Sequence, residues 1–297
     1  MRIGFVGLGA MGVPMAVNLQ RAGHDVCGYD IRPGAADALV AAGGRAAARA
    51  ADAARDAELL WLMVVSGAQA EAVLFGSGDA GGAAAMLPPG AIVAAGCTQA
   101  PAQAAALAAR LEAMGLHLLD APVSGGIKGA QGGTLAIMAA GSEAALARAR
   151  PALDVLGKHV FDCGREPGQG STAKVINQLL CGVHIAAAAE AMHLAESAGV
   201  AKETMHRIIS VSAGNSWMWG DRGPRMMQDD PPVTSAVDIF VKDLLLVADQ
   251  ARALKLALPV AAAALEMFTA ASAQGHGKAD DSQVIRAYRR LNGRDAA

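Results

Sequence analysis

Short apolar runs alternate with alanine-rich amphipathic stretches through the first half of the chain. Most of the short runs are bounded by glycine, proline or aspartate, which predicts β-strands at Ile3–Val6, Asp25–Tyr29, Leu59–Val65, Ala91–Ala95, Leu116–Leu119 and Leu135–Ala140. The stretches between them predict helices at Pro14–Ala22, Gly34–Ala42, Gln69–Leu74, Pro101–Met114 and Ser142–Leu156. Strands that alternate with helices in this way predict a mainly parallel, doubly wound α/β sheet.

Beyond Cys163 the strand signal nearly disappears, and helical periodicity continues towards the C-terminus. We predict helices at Gly170–Ala198, Lys202–Ser212, Ser235–Leu254 and Val260–Gln274, with loops at Pro231–Pro232 and Gly275–Asp281. The length of 297 residues suits two domains at roughly 100–200 residues each. We therefore predict an α/β domain over residues 1–163 and an all-α domain over residues 164–297.

Composition and charge narrow the class of protein. With 53% hydrophobic and 18% charged residues the chain predicts a compact fold, and a formal net charge of -2 argues against nucleic acid as a partner. The four cysteines are scattered without metal-ligand spacing, so we expect neither a disulfide framework nor a metal site. No secretory signal is visible, and charges interrupt the alanine-rich stretches before about 18 apolar residues accumulate. We expect a cytoplasmic protein without a membrane partner.

A glycine motif opens the chain directly between a predicted strand and a predicted helix. It reads Gly7-Leu8-Gly9-Ala10-Met11-Gly12, in which the three glycines allow a tight turn, close approach to a pyrophosphate and close helix–strand packing. Asp30 ends the second predicted strand, where a carboxylate accepts hydrogen bonds from ribose hydroxyls and repels a 2′-phosphate. This context favours NAD over an incidental glycine turn, although Arg32 is a residue that could accept the phosphate of NADP.

Two further strand ends lie on the other half of the predicted sheet. Val65 ends one strand, and Thr98 follows the next. The carboxyl ends of strands line the ligand crevice in this architecture, so we assign both residues to the cofactor. For Thr98 an alternative carries equal weight: a threonine just before Gln-Ala-Pro also suits the N-cap of a helix.

Three polar segments interrupt the alanine-rich background, and each allows two interpretations. Ser124-Gly125-Gly126 offers a hydroxyl and backbone N–H groups to a small carboxylate, or forms an ordinary glycine turn. Lys174, with Gln178 one helical turn later, is either a desolvated acid–base amine or a lysine that extends along the surface. Lys242 and Asp243 form either a helix-surface ion pair or a basic contact to cofactor or substrate.

Taken together, five segments resemble the β-hydroxyacid dehydrogenase family, which includes 3-hydroxyisobutyrate dehydrogenase and tartronate semialdehyde reductase. They occur in the family's order and cover essentially the whole chain: GFVGLGAMGVPMAVNLQRAGHDVCGYD, CTQAP, DAPVSGG, GQGSTAKVINQ and FVKDL. The resemblance implies an N-terminal Rossmann domain, a helical C-terminal domain and an active site between them. It also implies that Lys174 is catalytic, that Ser124-Gly125-Gly126 hold the substrate carboxylate and that Thr98 and Lys242 border the cofactor.

One position departs from the family pattern. The family usually has two asparagines in its KxxNN block, whereas this chain has Asn177 followed by Gln178. The segments Ala213–Met218 and Ser235–Leu244, together with HIAAAAEAM at residues 184–192, resemble the L-threonate dehydrogenase subgroup. Asn215, Ser216 and Asp238 are polar enough to contact the hydroxyls of a polyol chain. That resemblance implies NAD-dependent oxidation of L-threonate at C2 to 2-dehydro-L-erythronate, with Gln178 and Asn215 binding substrate.

Other functions remain open at this point. The activity of a 3-hydroxyisobutyrate dehydrogenase or of a tartronate semialdehyde reductase would use most of the same segments. A catalytically silent NAD sensor or interaction module would use the same fold, because a fold does not determine a function. The predicted helix Gly170–Ala198 has more apolar surface than one domain readily covers, which predicts a homodimer or a homotetramer.

Overall fold

The computed structural model describes residues 1–76 and 82–294 of the chain. These residues form two compact units, Met1–Lys174 and Val175–Ala297, which divide within a long helix. The first unit combines a sheet with helices, and the second consists mainly of helices, which confirms the predicted fold class. The domain boundary between residues 163 and 164 stays a prediction.

Nine strands form one sheet within the described part of the chain. They are β1 (Arg2–Val6), β2 (Asp25–Tyr29), β3 (Arg45–Ala46), β4 (Leu59–Leu62), β5 (Ile92–Ala95), β6 (His117–Asp120), β7 (Val123–Ser124), β8 (Ala136–Ala140) and β9 (His159–Gly164). Their order is β3-β2-β1-β4-β5-β6-β8-β7, with β9 paired to β8. Strands β1 to β6 run parallel, whereas β8 is antiparallel to β6 and β7.

The helices alternate with the strands in the first unit and follow one another in the second. They are α1 (Gly12–Arg21), α2 (Asp37–Ala41), α3 (Ala50–Ala54), α4 (Gly67–Phe75), α5 (Pro101–Glu112), α6 (Gly126–Gly132), α7 (Glu143–Leu156), α8 (Gln169–Ser197), α9 (Lys202–Ser210), α10 (Trp217–Met226), α11 (Val237–Ala253), α12 (Pro259–Ala271) and α13 (Ile285–Leu291). Short 3₁₀ segments occur at Ala83–Met86 and Asp281–Val284, and a π-helical turn at Ser272–His276.

The central strands of the first unit are apolar throughout because both faces of the sheet are covered. Along β4, Leu59 and Trp61 belong to one buried cluster, and Leu60 and Leu62 belong to a second one. The first cluster includes residues of α1 and α7, and the second includes residues of α4 and α5. Because successive side chains of a strand point to opposite faces of the sheet, β4 contributes alternate residues to both clusters.

The second unit has one core, built from the helices α8 to α13. Phe240 of α11 stacks on Phe268 of α12 with 5.2 Å between ring centroids. A buried ion pair accompanies this core: Arg222 Nε donates to Asp281 Oδ1 at 2.7 Å. Within the described residues, α8 alone is long and apolar enough to cross a membrane, a property that it shares with core helices of soluble proteins.

Several elements differ from the sequence-based predictions. The strands β3, β7 and β9 and the helices α3, α6, α10 and α13 are absent from those predictions. β3, β7, α3 and α13 span only two to seven residues, α6 begins and ends with glycine, α10 contains Pro224, and β9 is largely exposed. The strand predicted to reach Val65 ends at Leu62, where pairing with β5 stops.

Candidate active site

The strand order brings the predicted cofactor residues to one edge of the sheet. β1 lies between β2 and β4, and β4 lies beside β5, all parallel. The chain therefore leaves the sheet at the same edge before the glycine motif, Asp30, Val65 and Thr98. In such sheets the ligand crevice lies outside the carboxyl ends of the strands, where the strand order reverses. Here the order reverses between β1 and β4.

The glycine turn has the geometry that a dinucleotide requires. A Cβ atom on Gly12 would lie 1.8 Å from the carbonyl oxygen of Gly7, so α1 packs against the turn more closely than any side chain permits. A Cβ on Gly9 would meet only Arg32 Nη2, at 4.0 Å, so the backbone there is open to a ligand. In the first turn of α1 the N–H of Val13 donates to the carbonyl of Gly9 at 3.0 Å and Pro14 has no N–H, so the N–H of Gly12 is the group of this turn that suits an anionic diphosphate. The residues present fit the cofactor.

Asp30 joins the glycine turn to the end of β2. The N–H of Leu8 donates to Asp30 Oδ2 at 2.8 Å, and Arg32 Nε donates to Asp30 Oδ1 at 2.9 Å. The hydrogen bond from Arg32 is the main cause that holds the pKa of Asp30 below its usual range. Asp30 is therefore ionised at neutral pH, and its carboxylate partly neutralises Arg32, the residue considered above as a partner for the phosphate of NADP.

Thr98 and Val65 both follow strand ends, as predicted. Thr98 is half-buried, and α5 has Ala100 as its N-cap with no side-chain capping bond, so the alternative that Thr98 caps this helix is wrong. Val65 is half-exposed, and its N–H donates to Gln69 Oε1 at 2.8 Å. Their contact with the cofactor stays a prediction.

The Ser124-Gly125-Gly126 segment turns sharply between β7 and α6. Gly125 has φ 129° and Gly126 has φ 62°, values that favour glycine over other residues. The Cβ position of Gly126 has no heavy atom within 4 Å, so this turn is open on one side. An open turn with an adjacent hydroxyl has room for a small carboxylate, but binding there stays a prediction.

Lys174 lies in the second turn of α8 and is only 7% exposed. A side chain that extends along the surface would leave its ammonium in water, so the surface interpretation of Lys174 does not hold. Burial of an amine is the environment in which lysine performs acid–base chemistry. Of the two interpretations, the burial of Lys174 agrees with the desolvated acid–base amine, whose role stays a prediction.

Gln178, Lys242 and Asp243 form one hydrogen-bonded group in the second unit. Gln178 Nε2 donates to Asp243 Oδ2, and Lys242 Nζ donates to Asp243 Oδ1. Asn177 Nδ2 donates to Gln178 Oε1 at 3.0 Å, so both ends of the Gln178 amide are held. Asp243 is buried, so the Lys242–Asp243 pair is not the simple surface ion pair considered above.

No role in binding substrate or cofactor was predicted for Asp243 itself. The signal for it was available: an acid next to a lysine within an otherwise apolar helix. What the sequence did not show is its second partner, Gln178, which lies 65 positions earlier in the chain. One buried carboxylate thus holds the amide predicted to meet the substrate and the ammonium predicted to meet the cofactor.

The residues predicted to contact a polyol chain have hydrogen-bond partners within the protein. Asn215 is exposed and its Nδ2 donates to the carbonyl of Ser210 at 3.0 Å. Ser216 caps α10 by accepting the N–H of Trp219, and Asp238 accepts a hydrogen bond from Ser272 Oγ at 2.6 Å. Substrate binding by Asn215 stays a prediction. Across residues 1–76 and 82–294, no group of three or more His, Cys, Asp or Glu could hold a metal ion.

Two family models together match most of the chain. Residues 2–164 match the NAD-binding domain of 6-phosphogluconate dehydrogenase. Residues 168–288 match the model described as NAD-binding of NADP-dependent 3-hydroxyisobutyrate dehydrogenase. Both descriptions agree with the glycine turn and with the helical second unit.

Similar proteins of known name cover nearly the full length. L-threonate dehydrogenases from Escherichia coli O6:H1 and Cupriavidus necator are each 46% identical, over 96% of this chain and 94% and 95% of their own. A 2-hydroxy-3-oxopropionate reductase from Escherichia coli K12 is 34% identical over 97% of both chains.

The architecture also occurs in a solved structure. The crystal structure of a 3-hydroxyisobutyrate dehydrogenase from Salmonella typhimurium matches with a TM-score of 0.90 and 48% identity, over 95% of this chain and 98% of that one. The family models, the relatives and this structure agree with the resemblance carried by the five sequence segments. The chain belongs to the β-hydroxyacid dehydrogenase family of NAD-dependent oxidoreductases.

Proposed function

We propose that this enzyme oxidises L-threonate at C2 to 2-dehydro-L-erythronate, with NAD as cofactor and Lys174 as the acid–base group. The observation that favours L-threonate over 2-hydroxy-3-oxopropionate is a difference in identity. Five L-threonate dehydrogenases are 42–46% identical to this chain, whereas the 2-hydroxy-3-oxopropionate reductase is 34% identical. The solved structure named 3-hydroxyisobutyrate dehydrogenase is 48% identical, so that activity is the second candidate that the substrate panel tests. Gln178, which departs from the usual family residue, supports a substrate that differs from those of the reductase and of 3-hydroxyisobutyrate dehydrogenase.

The first unit supplies the cofactor site in this proposal. The turn Gly7-Leu8-Gly9-Ala10-Met11-Gly12 holds the diphosphate, Asp30 accepts hydrogen bonds from ribose hydroxyls, and Val65 and Thr98 border the remainder. Lys242 also contacts the cofactor. When bound, NAD supplies the acceptor for the hydride that leaves the carbinol carbon. Asp30, ionised at neutral pH, disfavours a 2′-phosphate and so favours NAD over NADP.

The chain's own residues orient the acid and move its proton. Ser124, Gly125 and Gly126 hold the substrate carboxylate, which directs the C2 hydroxyl towards Lys174 Nζ. Lys174 as a neutral amine accepts the hydroxyl proton, and in the reverse direction the ammonium returns it to the carbonyl oxygen. The Gln178 amide, held by Asp243, binds a neighbouring hydroxyl, and Asn215 contacts the polyol end.

A substrate panel tests this function. We expect kcat/KM with NAD to be highest for L-threonate among L-threonate, D-glycerate and 3-hydroxyisobutyrate, and higher with NAD than with NADP. A higher value for 3-hydroxyisobutyrate or D-glycerate would assign the enzyme to one of the other two activities. Tight NAD binding without turnover of any hydroxy acid would instead indicate a silent sensor.

The role of Lys174 has its own test. We expect Lys174→Ala to bind NAD normally and to lose about 10²-fold or more in kcat, the scale of a positioned acid–base group. Lys158→Ala, which removes an exposed lysine from the same unit, is the matched control and should retain full kcat. Near-normal turnover by Lys174→Ala would remove this amine from the mechanism.

We also propose a cytoplasmic homodimer or homotetramer. The support is apolar surface on α8, where Ile176, Leu180 and Leu194 are 58%, 49% and 68% exposed in the single chain. Exposed apolar residues on one helix are typical of surfaces between subunits. Light scattering after size-exclusion chromatography should give two or four chains, and Leu194→Glu should lower that number. A monomer would contradict the proposal.

A further inference from the structure

We propose that Asp120 is a positioning residue of this enzyme. Its buried carboxylate fixes the first turn of α8 relative to the Ser124–Gly126 turn. It thereby fixes the position of Lys174, which lies in the next turn of the same helix. The inference rests on the proposed role of Lys174 and adds a residue to which the sequence analysis assigned no function. Asp120, Ser124, Ser171 and Lys174 all lie within the first unit.

The carboxylate of Asp120 is fully buried and accepts three hydrogen bonds from the start of α8. Asp120 Oδ2 accepts the N–H of Gly168 at 3.0 Å and the N–H of Ser171 at 2.7 Å. Asp120 Oδ1 accepts the hydroxyl of Ser171 at 2.7 Å. The first N–H groups of a helix have no acceptor within it, and a negative charge there is favoured by the helix dipole. Asp120 therefore caps α8 from another element.

The backbone of α8 also approaches the sheet closely at this point. A Cβ atom on Gly170 would lie 2.5 Å from the carbonyl oxygen of Asp120 and 2.4 Å from that of Met138. Any larger residue would push the first turn of α8 away from the end of β6 and from the middle of β8. Gly170 thus permits the close contact between α8 and the sheet that the hydrogen bonds of Asp120 maintain. It is a second, independent indication that the position of the first turn of α8 is fixed.

Chain connectivity makes Asp120 the link between two proposed functional groups. Ser124 follows Asp120 by four residues, and Lys174 follows Ser171 by three. Three residues of helix are slightly less than one turn and rise by about 4.5 Å. The carboxylate therefore joins the turn that would hold the substrate carboxylate to the helical turn before the amine.

The charge state of Asp120 matters to this link. Burial raises the pKa of Asp120, and the hydrogen bonds from Ser171 and Gly168 act in the opposite direction. Asparagine keeps the volume of the side chain; its amide oxygen can accept both backbone N–H groups, and its nitrogen can donate to the Ser171 hydroxyl, which also accepts. Asp120→Asn therefore removes the negative charge, and with it the charge-assisted strength of the bonds that hold the start of α8.

Kinetics of Asp120→Asn, with Ser142→Ala as the matched control, test the proposal. Ser142 caps α7 in the same unit by accepting the N–H of Ala145 at 3.2 Å, so its loss removes a comparable cap far from Lys174 in sequence. We expect Asp120→Asn to bind NAD normally and to lose about 10- to 100-fold in kcat, as expected for a displaced reacting group. Ser142→Ala should retain kcat.

An isotope effect separates positioning from a loss of folded protein. With L-threonate deuterated at C2, the isotope effect on kcat should rise in Asp120→Asn, because the chemical step becomes slower than product release. A smaller folded fraction lowers the rate and leaves the isotope effect unchanged, and that result would overturn the proposal. Ser171→Ala keeps both backbone hydrogen bonds to Asp120 and is a second variant in case Asp120→Asn does not fold. It should lose less kcat than Asp120→Asn, and its isotope effect should also rise.

Hydrogen exchange distinguishes failure of this inference from failure of the proposed function. Amide exchange in the peptide covering residues 168–178 should be faster in Asp120→Asn than in the wild-type enzyme, whatever the substrate. A wild-type enzyme inactive on L-threonate would refute the proposed substrate only. Unchanged exchange in Asp120→Asn, or full kcat with an unchanged isotope effect, would refute the role of Asp120.

Discussion

Replacing Gly9 or Gly12 by alanine adds the same methyl group to the same turn, yet the structure predicts two different losses. The new Cβ at residue 12 would lie 1.8 Å from the carbonyl oxygen of Gly7, whereas at residue 9 its nearest neighbour would be Arg32 Nη2 at 4.0 Å. Gly12 therefore serves the packing of α1 on the turn. Gly9 leaves space on the side where the proposed diphosphate binds.

The distances set the expected magnitudes. At position 12 the oxygen or the helix has to move by about 1.2 Å to reach even 3.0 Å. Overpacking on this scale costs about 3 kcal/mol of unfolding free energy, which corresponds to a Tm lower by roughly 6–12 °C. Gly9→Ala meets no such overlap, so its stability should change by less than about 0.5 kcal/mol. Its Kd for NAD should rise about tenfold or more, which is about 1.4 kcal/mol.

Thermal unfolding with and without NAD measures both quantities at once. A bound ligand raises Tm in proportion to RT ln(1 + [L]/Kd). A variant that binds NAD more weakly therefore shows a smaller increase in Tm when NAD is added. Gly220→Ala is the control, because its Cβ lies in α10 with no heavy atom within 4 Å. It should leave the NAD increment unchanged and Tm equal or slightly higher.

Two results would refute this reasoning. A Gly12→Ala variant with wild-type Tm would show that the turn accommodates a side chain. A Gly9→Ala variant that binds NAD normally would show that the cofactor does not approach this face of the turn.

Three further predictions concern side chains. Asp30→Ala should raise the kcat/KM ratio of NADP to NAD about tenfold; an unchanged ratio in the variant would exclude Asp30 as the selector. Because the pKa of Asp30 is lowered, this carboxylate should not weaken NAD binding by the wild-type enzyme between about pH 8 and 5, which titration of the Kd for NAD against pH measures. Gln178→Asn should lower kcat/KM for L-threonate more than for D-glycerate, because the shorter amide leaves Asp243 Oδ2. Arg222→Ala should lower the unfolding free energy by about 3–5 kcal/mol in a denaturant titration, because it leaves Asp281 charged and buried.

The local patterns of the chain determined most of the elements and the cofactor motif. Continuous apolar runs identified the central strands, and the glycine spacing identified the turn after β1, because both depend on residues that are close in sequence. The edge strand β9 and the helix α10 were missed for the same reason. β9 is largely exposed and α10 contains glycine and proline, so neighbouring residues did not indicate either element; β9 pairs with β8, and α10 buries Trp219.

The polar residues at the site show what tertiary structure alone decided. Thr98 allowed two interpretations in sequence, and only the observed N-cap Ala100 excluded one. Lys174 allowed two as well, until its burial was known. Asp120 and Asp243 each have partners 48–51 and 65 positions away. Apolar periodicity is a property of neighbouring residues, whereas the partner of a buried charge is set by which distant elements the fold brings together, and a single sequence carries no record of that pairing.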